Sequence, residues 1–92
     1  MQIRISYATQ IRQHVGASSE ILNVDQVSSV EALLKMLCQK HGERLREALL
    51  DETGGVRASL IVCVNDEHVL DTGGTKLSDG DDVLIMSAIS GG

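Results

Sequence analysis

The segment Leu77-Ser78-Asp79-Gly80-Asp81-Asp82-Val83-Leu84-Ile85-Met86-Ser87-Ala88-Ile89-Ser90-Gly91-Gly92 carries the reading of the fold. Ser78-Asp79-Gly80-Asp81 is a turn, because Gly and Asp supply the tight backbone and the local side-chain hydrogen bonds that a reversal needs. Val83-Leu84-Ile85-Met86 then begins an apolar strand that stops at Ser90-Gly91-Gly92. Its upstream companion is Ala58–Asn65, where Leu60-Ile61-Val62-Cys63-Val64 is apolar without a break. Asn65-Asp66 signals a turn there, and His68–Leu70 forms a short return strand. Further back, Thr53-Gly54-Gly55 ends a short helical stretch running from Glu43 to about Leu50, with Leu45 and Leu49 on one side. Gly42 separates that stretch from a longer helix. Ser28-Ser29-Val30-Glu31 reads as its capping box, with Ser28 as the cap and Glu31 reaching back. Val30, Leu33, Leu34 and Leu37 follow at the spacing of one apolar helical stripe. At the N-terminus Ile3, Ile5 and Tyr7 alternate with Gln2, Arg4 and Ser6, a half-buried strand. A less regular strand spans Glu20–Asp25, reached through a hairpin-like connection at residues 17–19. The order strand, strand, helix, short helix, strand, short strand, strand predicts an α+β fold: a mixed sheet packed on one main helix plus a short helix.

Composition narrows the function classes. The 92 residues suit one domain, with 42% apolar residues to build its core. That core is aliphatic: the chain has 11 Leu, 9 Val and 7 Ile, no Phe or Trp, and Tyr7 as its one aromatic ring. Base stacking on aromatic platforms is thereby excluded, and a net charge of −5 disfavours binding to a phosphate backbone. No nucleic-acid partner is expected. The acids cluster: Asp66, Glu67, Asp71, Asp79, Asp81 and Asp82 face only Lys76 within residues 66–82. Such a cluster is a solvated face for solubility, or steers the protein toward a basic partner surface. The N-terminal Met-Gln-Ile-Arg-Ile is a strand pattern and not a signal peptide, and no apolar run approaches the ~20 residues of a membrane span. A reduced, cytoplasmic protein without a membrane partner is expected, its two cysteines acting as small hydrophobes.

The two faces of the sheet are unequal. With Leu60, Val62 and Val64 turned toward the helix, Ile61 and Cys63 point away. With Val83 and Ile85 inside, Leu84, Met86 and Ala88 lie outside. Neighbouring strands would then present Ile61, Cys63, Leu84, Met86 and Ala88 together, with His68 beside them on the short strand. An apolar face of this kind marks a partner-binding surface. The competing expectation is that segment 42–57 folds over it.

Little in the chain suggests catalysis or metal chemistry. Cys38 and Cys63 have no histidine at ligand spacing, and two cysteines cannot supply an iron–sulfur cluster. His41 sits where a helix dipole explains it. Asp79-Gly80-Asp81-Asp82 lacks the spacing of a calcium loop, and Gly73-Gly74 lacks the rest of a phosphate loop. Neither a metal nor a bound cofactor is expected. What remains is the end of the sequence: Ile89, Ser90, Gly91 and Gly92 follow a strand almost without a spacer. Glycines lack Cβ, so such a tail can thread a narrow cleft in another protein. The functional atom would be the terminal carboxylate.

Val64-Asn65-Asp66, Gly73-Gly74, Leu77-Ser78-Asp79-Gly80-Asp81 and Ile85 through Ser90-Gly91-Gly92 together resemble the ubiquitin-like sulfur carriers. These include the small subunit of molybdopterin synthase and the carriers of the thiamine and cysteine pathways. The resemblance covers the whole chain in element order and is sharpest over residues 60–92. It implies a β-grasp fold spanning residues 1–92, with a tail from about residue 88. It also implies that a ubiquitin-activating-like adenylyltransferase uses ATP to adenylate the carboxylate of Gly92. Sulfur from a sulfurtransferase or sulfide then gives a thiocarboxylate, which an acceptor synthase consumes. In that scheme Ile89, Ser90 and Gly91 thread the partner's cleft, and the chain is no enzyme itself. Met86-Ser87-Ala88-Ile89 stands where many molybdopterin-type members carry prolines and an aromatic residue. Segment 43–56 is longer than in the thiamine carriers, so the chain leans toward the cysteine-pathway or a specialised biosynthetic type. The alternatives are a ubiquitin-like modifier conjugated through Gly92, and a β-grasp interaction module whose tail is idle.

Overall fold

A computed structural model describes residues 1–25 and 28–88. In chain order its elements are β1 (Gln2–Tyr7), α1 (Thr9–Val15), β2 (Ser19–Asn23), α2 (Val30–His41), α3 (Glu43–Leu49), β3 (Leu60–Val64), β4 (Glu67–His68) and β5 (Asp82–Ser87). The five strands lie in the order β2-β1-β5-β3-β4. At the centre β1 runs parallel to β5, and every other pairing is antiparallel. This mixed sheet grasping α2 is the expected α+β, β-grasp architecture.

Alternation along the strands and the helical stripe build one core. Ile3, Ile5 and Tyr7 from β1, Val62 from β3, and Val83 and Ile85 from β5 meet Val30, Leu33, Leu34 and Leu37 of α2. Leu45 and Leu49 of α3 join them, both fully buried. Asn65 and Asp66 take φ of 51° and 71°, as a two-residue hairpin turn between antiparallel strands requires. The Asn65 side chain then ties that hairpin to the turn before β5. Its amide donates to Asp81 Oδ1 at 2.9 Å, and its carbonyl accepts from the Asp82 N–H at 3.0 Å. Asp79 Oδ1 accepts the Gln2 N–H at 2.6 Å, and Asp81 Oδ2 the Ser78 N–H at 2.8 Å. These two carboxylates are turn-builders.

Four expectations need correction. Residues 9–15 form a helix, α1, in a stretch for which the sequence predicted no element, so the sheet carries two short helices besides α2. Only Ile11 of α1 is buried, too little to produce a stripe in the sequence. The cap of α2 is Ser29, not Ser28: its hydroxyl accepts the Ala32 N–H at 3.1 Å. Glu31 does not reach back. Its N–H and that of Val30 donate to the Thr72 and Thr75 carbonyls, and its carboxylate pairs with Lys35. The loop before β5 thus satisfies the start of α2 and leaves no open anion site there. The return strand is Glu67–His68, and Leu70, expected within it, is 87% exposed. Finally, α3 packs against α2 and α1 and contributes to the core, so this part of segment 42–57 does not cover the outer face of the sheet, whereas Val56 and Arg57 line a groove with Ile61 and His68 at its edge.

A polar clamp holds β2 and the end of α2 together. Glu20 of β2 accepts hydrogen bonds from Tyr7 Oη (2.5 Å) and Lys40 Nζ (2.6 Å), and its other contact is His41 Nε2 at 2.6 Å. Burial works against its charge, but the hydrogen bonds from Lys40, Tyr7 and His41 prevail and hold the carboxyl below its ordinary value. A depressed carboxyl adds stability that is present above pH 4.5, its ordinary value, and lost as pH falls through the folded-state value. Tyr7 moves the other way. Burial, then its hydrogen bond to Glu20, raises the phenol, so its contribution is lost only as pH rises above 10.0. Replacing Glu20 with Leu is expected to cost about 1–3 kcal/mol in urea unfolding at neutral pH, because it leaves the Tyr7 hydroxyl without its acceptor. The difference from the parent chain should shrink as the pH falls below 4.5.

Candidate functional site

The period of two along β3 and β5, locked by their register, assembles the outer face. Ile61 lies directly opposite Met86, and Cys63 opposite Leu84. Leu84 is also level with Ser6 on β1, and Cys63 with His68 on β4. Directly opposed residues bring their side chains within contact range. Ile61, Cys63, Leu84 and Met86 are each half-buried, and His68 is exposed at the edge. Their inward neighbours Val62, Val83 and Ile85 are almost wholly buried. The face is therefore a continuous apolar strip across β3 and β5, as the alternation predicts. Ala88, exposed, continues it at the end of β5, and its N–H donates to the Ser59 carbonyl at 2.7 Å. Ile89, Ser90, Gly91 and Gly92 lie outside the described residues.

Charge rims the strip at the opposite end of β5. Arg4 and Asp82 are paired across the strands, 3.8 Å apart and well exposed, and Ile21, opposite Arg4, is 52% exposed. Arg4, Ser6, Cys63, Asp66, Asp82 and Leu84 line a groove there. The acidic cluster thus has members beside the apolar strip. Sequence reasoning did not place Arg4, Ser6 or Ile21 on this face. Register could have found them, since they occupy the polar positions of β1 and their partner in β2.

Cys63 is a free thiol, and His68 pairs with it only through strand register. Among the described residues no group of His, Cys, Asp and Glu could hold a metal ion, and no helix is long and apolar enough to cross a membrane. The described face is thus an apolar strip of Ile61, Cys63, Leu84 and Met86 with a charged rim at one end and Ala88 at the other. Met86→Ala, a truncation outside the core cluster, should cost much less in thermal unfolding than the roughly 2–5 kcal/mol of a buried large-to-small change, while weakening partner binding. Unfolding of that variant would contradict the assignment of faces.

The fold and this surface define a small ubiquitin-like protein, and the chain belongs to the ThiS family, whose model matches residues 5–92. Among characterised proteins, it is 30% identical over 95 residues to the sulfur carrier protein CysO of Mycobacterium tuberculosis, covering 100% of both chains. Among solved structures it matches SAMP1 from Haloferax volcanii with a TM-score of 0.87 over 100% of both chains. At 20% identity that likeness concerns the fold. It also matches a chain of the BexX/CysO complex of Amycolatopsis orientalis, at 26% identity and a TM-score of 0.71, covering 98% of this chain and 99% of that one.

Proposed function

We propose that the chain is a sulfur carrier, with residues 1–87 as the docking domain and residues 88–92 as the delivering tail. The observation that carries this reading is the full-length, 30% likeness to proteins named as sulfur carriers. The geometry agrees with it: the apolar strip of Ile61, Cys63, Leu84 and Met86 runs toward Ala88, four residues before Gly92.

In this reading Gly92 is the last residue of the working form. One of its carboxylate oxygens attacks the α-phosphorus of ATP on a ubiquitin-activating-like adenylyltransferase, and pyrophosphate leaves. A carboxylate is a poor electrophile, and the adenylate converts its oxygen into a leaving group. Sulfide attacks the acyl carbon, the carbon–oxygen bond to AMP breaks, and a thiocarboxylate remains. With a sulfurtransferase persulfide as donor, an added thiol reduces the acyl disulfide to the same product. An acceptor synthase then takes the sulfur. The carrier catalyses none of these steps; ATP is bound by the partner, and the cycle runs in the cytoplasm. Ile61, Cys63, Leu84, Met86 and Ala88 form the contact with the adenylyltransferase, and His68 borders it. Ile89, Ser90 and Gly91 occupy its cleft. Asp66 and Asp82, at the rim, favour a partner with a basic border.

The test is to incubate the purified chain with clarified lysate of its host, ATP and sulfide, and to follow its intact mass. The expected result is an ATP-dependent exchange of one oxygen for sulfur. A ladder of higher-mass protein adducts on a blot, with no such exchange, would replace the carrier by a protein modifier. Neither product would leave an interaction module whose tail is idle.

A further inference from the structure

The root of the tail is held by an unusual clasp. In the parallel ladder of β1 and β5, the Ala8 N–H donates to the Ile85 carbonyl at 3.0 Å. Continuing that ladder would send the Ser87 N–H to the Ala8 carbonyl. Instead the Thr9 hydroxyl stands between them. It donates to the Ala8 carbonyl at 2.6 Å and accepts the Ser87 N–H at 3.0 Å. A hydroxyl has one proton, so the contact of 3.0 Å between Thr9 Oγ1 and Ser87 Oγ is donated by Ser87. On the other side, the Ala88 N–H is held by the Ser59 carbonyl. Ser87 and Ala88, at the end of β5, are thus fastened on both sides, by the first residue of α1 and by the residue just before β3. One of the fastenings is a side chain inserted into a backbone ladder.

Thr9 adopts a backbone conformation that β-branched residues avoid. Its φ is 56°, in the left-handed region. Such a conformation persists when surrounding contacts over-determine it, and it tends to mark places where geometry serves function. The fold alone does not need this residue here: Thr9 is outside the core cluster, and glycine would reach the same φ without strain. What the threonine adds is the hydroxyl.

We propose that Thr9 is a positioning residue for the tail: its hydroxyl clasps Ser87 and so sets the direction in which the chain leaves the sheet at Ala88, aligning the carboxylate for adenylation. The inference rests on the sulfur-carrier reading and deepens it. Docking uses the outer strip, which Thr9 does not join, so the two functions separate experimentally.

The experiment uses the lysate, ATP and sulfide assay on the parent chain, Thr9→Gly and Thr9→Ser, with Thr9→Ala replacing the glycine variant if that does not fold. Thermal unfolding and exchange of the Ser87 amide provide the structural readouts. Thr9→Gly should remain folded, lose protection at the Ser87 amide, and exchange oxygen for sulfur about tenfold more slowly, since small misplacements of reacting groups are costly. Thr9→Ser, which keeps the hydroxyl, should restore the parent rate. Excess Thr9→Gly should still slow sulfur loading of the parent chain, because its docking strip is intact. A folded Thr9→Gly that loads at the parent rate, or a Thr9→Ser as slow as Thr9→Gly, would overturn the proposal. Failure of the parent chain itself to load would instead overturn the carrier reading, and the role of Thr9 with it.

Discussion

A chain lacking Gly91 and Gly92 is expected to take up no sulfur at all in the presence of ATP and sulfide, while unfolding at the temperature of the full chain. The two halves of this expectation have separate causes. The core ends with Ile85, and no later described residue belongs to it. Changes away from the core typically alter stability by no more than about 0.5 kcal/mol. The apolar strip is intact too, so the shortened chain should still bind the proposed activating partner and compete with the full one. The reacting carboxylate, however, moves back by two residues, to Ser90. Two extended residues span about 7 Å, far more than the fraction of an ångström within which reacting groups must be placed. Serine also carries a side chain where the cleft is proposed to admit glycine. Full biological activity of the shortened chain would remove both readings that use the tail.

The second large effect falls on the fold. Leu34→Ala should cost about 2–5 kcal/mol, as truncations of buried leucines do when the surroundings cannot close the cavity. Leu34 is fully buried at the middle of the α2 stripe and shares its core with Ile3 and Ile5 from β1 and with Val83 and Ile85 from β5. Domains of this size have stabilities of roughly 5–15 kcal/mol, so the loss is a large fraction of the whole. Each kcal/mol corresponds to about 4–8 °C in the unfolding temperature of a 60–100-residue domain, and calorimetry would read the shift directly. A loss below about 1 kcal/mol would show that α2 does not close the core as described. Leu34→Ala also complements the tail deletion: one variant should lose stability with its tail untouched, the other should lose chemistry with its fold untouched.

The outer face was legible in the sequence because a strand's faces follow from a period of two. Once Val62, Val83 and Ile85 are inside, Ile61, Cys63, Leu84 and Met86 have nowhere else to point. The stripe of α2 was legible for the same reason, with a different period. The helix α1 was not, because Ile11 and Val15 are too few to form a stripe; the Gly16 that ends it, at φ 83°, is a stop signal without a pattern before it. The capping residue was misplaced by one position because Ser28 and Ser29 are chemically alike. The choice is made by the carbonyls of Thr72 and Thr75, which lie about 40 residues away in sequence and fix where α2 begins. Glu20 and Thr9 were invisible for a related reason. The partners of Glu20 come from β1 and the end of α2, and the Thr9 hydroxyl has meaning only beside Ser87, 78 residues distant. Local patterns report what repeats along the chain; single side chains that bridge elements report only after the elements are placed.

The most direct test of the account is the intact mass of the protein purified rapidly from its native host and then supplied with a ubiquitin-activating-like adenylyltransferase of that host, ATP and a sulfur source. The account predicts a species heavier by one oxygen-to-sulfur exchange, present in the full chain and absent when Gly92 is deleted. Protein that stays unmodified under those conditions would contradict it, and would leave the strip of Ile61, Cys63, Leu84 and Met86 as an interaction surface with no sulfur to deliver.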